Sequence, residues 1–365
     1  MEKNSFTFLE DLLKEPSPSG FEESAAKVWR AYAKKFADKV KGDFHGNSYA
    51  SINEKGSLRI YMSGHIDEIG FMVKTVTNEG FIKIAPIGGI DGHVVVGQRV
   101  WIYTEKGRVY GIIGRKPIHL FKAEDRTKIM EIDQMWVDIG AKNKKEAMSL
   151  VSIGDPIVIA AGFEKLRGDL YVARAFDDRI GSFVVAEALR LLAEGRNKNK
   201  KSGKNKKSGI GHNVTAVATV QEEIGLRGAT TSAYNVQPHI GFAVDVTFAS
   251  DSPGSTEDMI GTIKCGGGPV IARGPNINPR LFNLIVKTAK ANKIPYQVTG
   301  VPRGTGTDAN AIQLTRGGVA TALISIPNRY MHTPVEVVSL ADVANCAKLI
   351  ACTIENIRSA DDFLI

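Results

Sequence analysis

The second half of the sequence alternates short apolar runs with longer amphipathic segments, and this alternation constrains the fold more than any other feature. Helical spacing of apolar residues predicts helices, and the short apolar runs predict strands. The series comprises a helix over 179–192, strands over 214–220 and 239–244, a helix over 280–292, a strand over 321–326 and a helix over 340–358. Because such alternation is typical of helices covering a parallel sheet, we predict an α/β sandwich with a mixed, largely parallel sheet.

Residues 73–161 have a different pattern. Short β-rich runs at Phe81–Ile84, Val94–Val96 and Arg99–Tyr103 are separated by glycines, and helical periodicity is scarce. This pattern favours a small β-barrel-like domain inserted into a larger one. The predicted domains are a discontinuous one of residues 1–72 and 162–365, and an inserted one of residues 73–161.

The N-terminus and the cysteines indicate the cellular compartment of the protein. The first residues contain no apolar segment followed by a small-residue cleavage site, and no run approaches the ~18 apolar residues of a membrane span. The three cysteines cannot all pair within the chain, and their spacing matches no zinc knuckle. We therefore predict free thiols in a reducing compartment, and thus a cytoplasmic protein without a membrane partner.

The net charge of +8 is concentrated in one segment. Residues Arg196–Lys207 carry seven basic side chains and no acidic one, so the rest of the chain carries only +1. A stretch of lysine, asparagine, glycine and serine cannot pack a core, and we predict a flexible, solvated loop. Contact of this loop with an anionic partner is the open alternative. We predict no nucleic-acid partner.

Polar clusters follow several of the predicted strands. In open α/β sheets, sites form beyond the carboxyl ends of the strands, where such clusters converge. The clusters are His65 and Asp67 after the strand 58–62, Asp177 and Asp178 before the helix at 179, Glu222 and Glu223 after the strand 214–220, Asp245 at the end of the strand 239–244, and His332 after the strand 321–326.

Most of these residues also have an ordinary structural explanation. His65 alone is compatible with a partly buried histidine, and Asp67 is placed to orient its imidazole. Asp177 and Asp178 are compatible with a helix cap and a first-turn acid. Asp245 is compatible with a turn at a strand end.

The adjacent glutamates Glu222 and Glu223 are more informative. Two neighbouring carboxylates repel each other when buried, so a cation is needed to stabilise them, unless the strand end is exposed. Together, two histidines and several carboxylates meet the requirements of a two-metal hydrolase. A glutamate outside the coordination shell then accepts the proton of the attacking water and passes it to the leaving amine.

The sequence resembles the M42 metallopeptidases, the TET-type tetrahedral aminopeptidases, over nearly its whole length. The runs that carry the resemblance are PSGFEE (18–23), GHIDEIGFMV (64–73), GQRV (97–100), AFDDRIG (175–181), QEEIGLRGA (221–229), DV (245–246), GTGTDAN (304–310) and RYMHTP (329–334).

The resemblance implies a role for each candidate residue. It makes His65 a ligand of one metal with Asp67 as its partner, Asp177 the bridging carboxylate, Glu222 the general base, Glu223 and Asp245 further ligands, and His332 a ligand of the other metal. Asp177 is preferred to Asp178 as the bridging residue only by analogy with related di-zinc peptidases.

The resemblance also implies an activity and an assembly. It implies an aminopeptidase that acts on peptides with a free amino terminus and uses two divalent ions, zinc or cobalt, with manganese also acceptable. It implies dimers formed through the inserted domain, which associate into a dodecamer. A metal-dependent carboxypeptidase or deacylase of related architecture is the alternative enzyme. A nucleic-acid-associated protein using the basic segment is a further alternative, and it leaves the acidic strand ends unexplained.

Overall fold

The computed structural model describes residues 1–365 except residues 123, 125–130, 202–210 and 256. Its strands are β1 (Lys39–Gly42), β2 (Ser48–Ile52), β3 (Arg59–His65), β4 (Gly70–Val76), β5 (Ile82–Ile87), β6 (Arg99–Thr104), β7 (Gly107–Gly114), β8 (Trp136–Asp138), β9 (Pro156–Ile159), β10 (Glu164–Lys165), β11 (Leu170–Ala173), β12 (Asn213–Thr219), β13 (Ile240–Phe248), β14 (Val270–Arg273), β15 (Gln297–Gly300), β16 (Ala320–Asn328) and β17 (Glu336–Ser339). Its α-helices are α1 (Lys3–Lys14), α2 (Glu23–Ala33), α3 (Gly92–Val95), α4 (Lys144–Leu150), α5 (Phe176–Lys201), α6 (Arg227–Val236), α7 (Glu257–Ile260), α8 (Pro279–Ala291), α9 (Asp308–Gln313) and α10 (Leu340–Asn356). None of these helices is both long enough and apolar enough to cross a membrane.

An eight-stranded mixed sheet forms the centre of the larger part of the molecule. Its strand order is β1-β2-β12-β3-β13-β16-β14-β15. The four central strands, β12, β3, β13 and β16, are parallel, and antiparallel pairings flank them on both sides. Because parallel strands end at one edge, the residues that follow them are brought together there. The prediction of an α/β fold with a mixed, largely parallel sheet is confirmed.

Helices cover both faces of this sheet. From one face of β3, Tyr61 hydrogen-bonds to Ser232 of α6 at 2.7 Å. Gly64 points to the opposite face, because side-chain directions alternate along a strand. A Cβ atom on Gly64 would lie 2.2 Å from the backbone carbon of Gly181 in α5. The glycine therefore allows the start of α5 to lie directly on the carboxyl end of β3.

Apolar side chains at helical spacing hold the helices against the sheet. In α10, Val343, Cys346 and Ile350 recur every three or four residues and are buried. The side chain of Ser339 caps this helix by accepting the backbone N–H of Asp342. The long helix α5 packs against β3, β12, β13 and α10, so it lies at the centre of the core.

Strands β4 to β9 close into a six-stranded barrel in the order β4-β5-β8-β7-β6-β9. The barrel has its own hydrophobic core, which includes Phe71, Ile102 and Val137. The predicted small β-barrel within an α/β protein is confirmed. The division into domains at residues 73 and 161, and the role of the inserted part in dimerisation, stay predictions.

Two details within residues 73–161 differ from the expectation. Val94–Val96 is not a strand, because residues 92–95 form the short helix α3, and the side chain of Asp91 caps it by accepting the N–H of His93 at 2.8 Å. Helix α4 was not predicted, although Asn143 caps it by accepting the N–H of Glu146 at 3.0 Å. In both cases a capping side chain starts a helix too short to show a periodic pattern.

The basic segment is also partly different. The predicted loop from Arg196 is wrong as far as Lys201, because α5 continues to that residue. The guanidinium of Arg196 pairs with both carboxylate oxygens of Asp38, at 2.6 and 2.8 Å, which fixes it to the surface of the fold. The remainder of the segment, residues 202–207, lies outside the described residues.

Candidate metal centre

The parallel strands align the candidate residues at the carboxyl edge of the sheet. Thr219, the last residue of β12, pairs with His65, the last residue of β3. Ala243 of β13 pairs with Ser63 of β3, so Asp245 lies level with His65 when this register is continued. The parallel register of these strands thus brings the polar residues at their ends to one edge of the sheet.

Asp177 lies between the two histidines. Its Oδ1 is 3.1 Å from Nε2 of His65, and its Oδ2 is 3.2 Å from Nε2 of His332. The neighbouring Asp178 is occupied elsewhere: it accepts the backbone N–H of Gly181 at 3.0 Å and that of His65 at 3.2 Å. The peptide bond between the two aspartates is cis. The geometry therefore favours Asp177 over Asp178 as a carboxylate shared by two ions.

Two groups of side chains could each hold a metal ion, and Asp177 belongs to both. One group comprises His65, Asp177 and Asp245, and the other comprises Asp177, Glu223 and His332. Within each group the ligand atoms lie within 4.8 Å of one another. The His65 side chain is 1% exposed and that of His332 is 37% exposed, so the second group is the one that solvent reaches.

A turn after β12 brings the two adjacent glutamates to this edge. Gln221 has φ +55°, in the left-handed region that residues other than glycine rarely adopt. Both oxygens of the Asp67 carboxylate hold the turn: Oδ1 accepts the N–H of Glu222 at 3.0 Å, and Oδ2 accepts that of Glu223 at 3.2 Å. Asp67 therefore fixes the backbone from which both glutamate side chains extend.

The two glutamates face different histidines. Oε2 of Glu222 lies 3.8 Å from Nε2 of His65, and Oε2 of Glu223 lies 3.6 Å from Nε2 of His332. Glu223 belongs to one of the two ligand groups, whereas Glu222 belongs to neither. Glu222 thus lies beside the first group without belonging to it.

Asp67 contacts His65 mainly through its main chain. Nδ1 of His65 lies 3.1 Å from the backbone oxygen of Asp67 and 3.5 Å from its Oδ1. The hydroxyl of Ser19 donates to the carboxylate at 2.6 Å. The carbonyl is therefore the nearer acceptor for the imidazole, and it leaves Nε2 of His65 directed at Asp177.

The site concentrates buried carboxyl groups whose ionised forms a cation would stabilise. Burial raises the pKa of Glu222 to about 10, and burial together with the charge of Asp177 raises the pKa of Asp245 to about 8. Burial also holds the pKa of Glu223 well above its usual range. Oε1 of Glu223 is buried and has no hydrogen-bond partner among the described residues. Imidazole and carboxylate donors with an unsatisfied oxygen fit divalent metal ions of the zinc type.

Glu336, which the sequence did not indicate, accepts hydrogen bonds from the backbone of two candidate ligand residues. Its Oε2 accepts the backbone N–H of Asp177 at 2.8 Å, and its Oε1 accepts that of His332 at 3.0 Å. Burial, with the charge of Asp177, raises the pKa of Glu336 to about 8. The only signal in the sequence is its position four residues after His332.

Asp308, at the start of α9, was also given no role. It is 1% exposed and accepts the hydroxyl of Thr219 at 2.7 Å. Its other oxygen is buried without a partner among the described residues. Asp308 lies within the GTGTDAN run quoted above, so the run could have indicated it.

Comparison with known proteins identifies the family of this chain. The family model described as M42 glutamyl aminopeptidase matches residues 46–349. The lysyl aminopeptidase of Pyrococcus furiosus is 36% identical over 357 residues, which cover 97% of each chain.

Solved structures give the same result. A TET aminopeptidase from a marine sediment Thaumarchaeota archaeon superposes with a TM-score of 0.91 at 35% identity and 99% coverage of each chain. The TET1 peptidase of Pyrococcus horikoshii, which can assemble into a tetrahedron or a large octahedral shell, gives a TM-score of 0.83 at 31% identity, with 97% of this chain and 100% of that chain covered. This chain therefore belongs to the M42 glutamyl aminopeptidase family and is an aminopeptidase, a hydrolase that acts on peptide bonds.

Proposed function

We propose that this aminopeptidase uses two divalent metal ions and removes residues from peptides with a free amino terminus. The observation that carries the proposal is the position of Asp177, whose two carboxylate oxygens face His65 and His332 at 3.1 and 3.2 Å. A carboxylate with one oxygen directed to each of two ligand groups is the arrangement expected of a bridging ligand.

The side chains divide into two sets around Asp177. His65 and Asp245 would hold one ion, and Glu223 and His332 would hold the other. When bound, the ions supply Lewis acidity at the scissile carbonyl and acidify a water molecule. Zinc, cobalt and manganese all accept these donors, so the donor set selects a class of metal.

Glu222 is the proposed general base. It stands outside both ligand groups, 3.8 Å from Nε2 of His65, and it is almost completely buried. Two nearby cations would lower its raised pKa, so that the carboxylate becomes ionised and accepts a proton from the attacking water. The same carboxyl group then donates the proton to the nitrogen of the leaving amine.

The choice of a free amino terminus over a free carboxyl terminus is supported by the relatives, which are named lysyl aminopeptidase and glutamyl aminopeptidase.

We further propose that the inserted part, residues 73–161, mediates dimerisation and that the dimers form a dodecamer. Large apolar side chains are exposed on this part of the chain, as expected of an interface. They are Tyr110, Ile112, Ile118, Leu120, Met148, Leu150 and Ile153. The TET1 relative that assembles into a tetrahedron supports the proposal. A hollow assembly would select substrates by size, because folded chains could not reach inward-facing sites.

A substrate panel tests the activity. Chromogenic aminoacyl substrates with a free amine are compared with their N-acetylated forms and with peptides blocked at the amino end but free at the carboxyl end. Each is assayed after chelation and after addition of zinc, cobalt or manganese. Hydrolysis only of free-amine substrates, restored by metal, is the expected result. Cleavage of the amino-blocked peptides would instead indicate the carboxypeptidase or deacylase alternative.

A further inference from the structure

The turn Gly88–Gly89 belongs to the barrel. It lies against Glu223 and His332, two candidate ligands of the ligand group that solvent reaches. A Cβ atom built on Gly88 would lie 3.3 Å from Cβ of Glu223 and 2.8 Å from Cγ2 of Ile69. A Cβ atom on Gly89 would lie 3.6 Å from Nδ1 of His332. The other candidate ligands lie on strands and helices of the α/β part. Through this turn, the barrel contacts the candidate ligands Glu223 and His332.

The turn is held firmly at both ends by the barrel. It directly follows Ile87, the last residue of β5, which is buried and pairs with Gly70 of β4. It is followed by Asp91, which caps α3, and α3 places Val95 in the barrel core. The position of the turn is therefore determined by the barrel and does not depend on the ligands that it contacts.

The contact with His332 determines which ring nitrogen faces the site. Nε2 of His332 is directed at Asp177 and Glu223, at 3.2 and 3.6 Å. The nitrogen nearest Gly89 is Nδ1, 3.6 Å from the position of a Cβ atom on that glycine, so the ring edge opposite Nε2 faces the turn. A metal-bound histidine commonly donates its second N–H to a carbonyl, which fixes the tautomer and the ring orientation. The backbone of the turn is the group of the barrel that lies beside this nitrogen.

The contact with Glu223 requires glycine at position 88. Gly88 has φ +76°, and the space beside its Cα is closed by Ile69 and Glu223. Any side chain here would press on the β-carbon of Glu223, the atom from which its carboxylate is aimed. The close approach therefore leaves Glu223 little freedom to turn away from His332.

We propose that the Gly88–Gly89 turn of the barrel is a positioning element for the second metal ion, because it fixes Glu223 and His332. This inference rests on the proposed two-metal function. It makes the barrel part of the catalytic apparatus of the same subunit, beyond any role in assembly. The first ion shares Asp177 with the second, but its other proposed ligands, His65 and Asp245, belong to β3 and β13 of the α/β part, so its binding should depend much less on the turn.

The test compares alanine substitutions at two glycines of the barrel. Gly97 has φ +80°, close to the +76° of Gly88, but a Cβ atom on Gly97 meets nothing within 4 Å. Gly97→Ala therefore carries the same backbone strain without the contact, and it serves as the matched control. Ile69→Ala removes the closest clash, so the double variant Gly88→Ala/Ile69→Ala keeps mainly the contact with Glu223.

Metal content and the two metal affinities are measured on the intact protein by elemental analysis after equilibrium dialysis, together with kcat and the melting temperature. We expect Gly97→Ala and Ile69→Ala to bind two ions per chain. We expect Gly88→Ala/Ile69→Ala to keep the first ion and to bind the second roughly 10- to 100-fold more weakly, with a matching loss of kcat.

Two outcomes separate the inference from the function on which it rests. If the unmodified protein binds two ions and the double variant binds both as tightly as Ile69→Ala does, the turn has no positioning role and the inference fails alone. If the unmodified protein binds no ion and is fully active, the proposed two-metal function is wrong, and the inference that rests on it is wrong as well. A lower melting temperature with two tight ions would indicate a merely structural contact and would also overturn the inference.

Discussion

Asp67 holds the backbone of Glu222, because its Oδ1 accepts the Glu222 N–H at 3.0 Å. The same carboxylate takes the N–H of Glu223 and the hydroxyl of Ser19 through Oδ2, at 3.2 and 2.6 Å. One buried aspartate thus sets the directions of the proposed base and of a proposed ligand at once. Asp67 should therefore affect the reaction indirectly, because it fixes the backbone conformation of the turn that carries Glu222 and Glu223.

Asp67→Asn should lower turnover by roughly 10- to 100-fold, the usual effect of losing a partner that orients a metal site. The amide keeps the size of the side chain but offers one acceptor oxygen, so at least one N–H of the turn loses its partner. Ser19→Ala is the matched control, since it removes one donor and leaves the carboxylate on the turn. Kinetics near wild type for Asp67→Asn, with both ions bound, would show that the turn does not need this carboxylate.

Glu222→Gln should keep both ions and lower kcat by roughly 10²- to 10⁴-fold, because general base catalysis is worth about that much. Glutamine retains the shape of the side chain and cannot accept the proton. Glu223→Gln should lose metal as well as activity, because Glu223 belongs to a ligand group. Elemental analysis together with steady-state kinetics distinguishes the two variants. Metal loss in Glu222→Gln alone would mean that the two roles are reversed.

Removal of metal should abolish hydrolysis, and divalent metal should restore it. The buried carboxylates repel one another without a compensating cation, so the chelated protein should also melt at a lower temperature. Calorimetry and a peptide assay on the same dialysed sample check both effects. Full turnover by protein that elemental analysis shows to be metal-free would end the two-metal proposal.

Glu336→Gln should weaken metal binding by roughly 10- to 100-fold. The carboxylate accepts the N–H groups of Asp177 and His332, and the amide nitrogen of glutamine would face one of these donors. Glu187→Gln is the control, since Glu187 is a buried acid further along α5 that accepts from Ser5 at 2.8 Å. It should lower stability without changing metal affinity. Equal metal affinities in the two variants would show that metal binding does not depend on Glu336.

Light scattering should find a particle of about 470 kDa, twelve times the chain mass of 39.5 kDa. Tyr110 and Ile112 are 46% and 47% exposed on β7, so replacing both with serine should weaken the barrel interface and reduce the particle mass. A mass of one chain at micromolar concentration for the unmodified protein would contradict the proposed assembly.

The sheet and most candidate site residues are predictable from the sequence because their signals are local. Apolar runs and helical spacing indicate the strands and helices, and a histidine or acid just after an apolar run marks a strand end. His65, Asp245 and the pair Glu222 and Glu223 were found in this way. Helix α3 was missed because four residues cannot display a helical period, and its start depends on the side chain of Asp91.

Other features depend on contacts between distant segments. Glu336 has no pattern of its own, and its role exists only because β17 brings it under Asp177 and His332. The contact of Gly88 with Glu223 joins residues 135 positions apart through the closed barrel. Such pairs leave no periodic signal in either segment.

The sequence by itself determined the class of fold, the strand ends that carry histidines and acids, and the resemblance to one family of metallopeptidases. Each of these follows from side-chain alternation, helical spacing or a contiguous motif. The tertiary structure decided that Asp177 and not Asp178 lies between the histidines, and that Glu222 and Glu223 face different ones. The reason is that the direction of a side chain at a turn is set by backbone angles and by hydrogen bonds from distant residues, here Asp67 and Glu336, which no local pattern specifies.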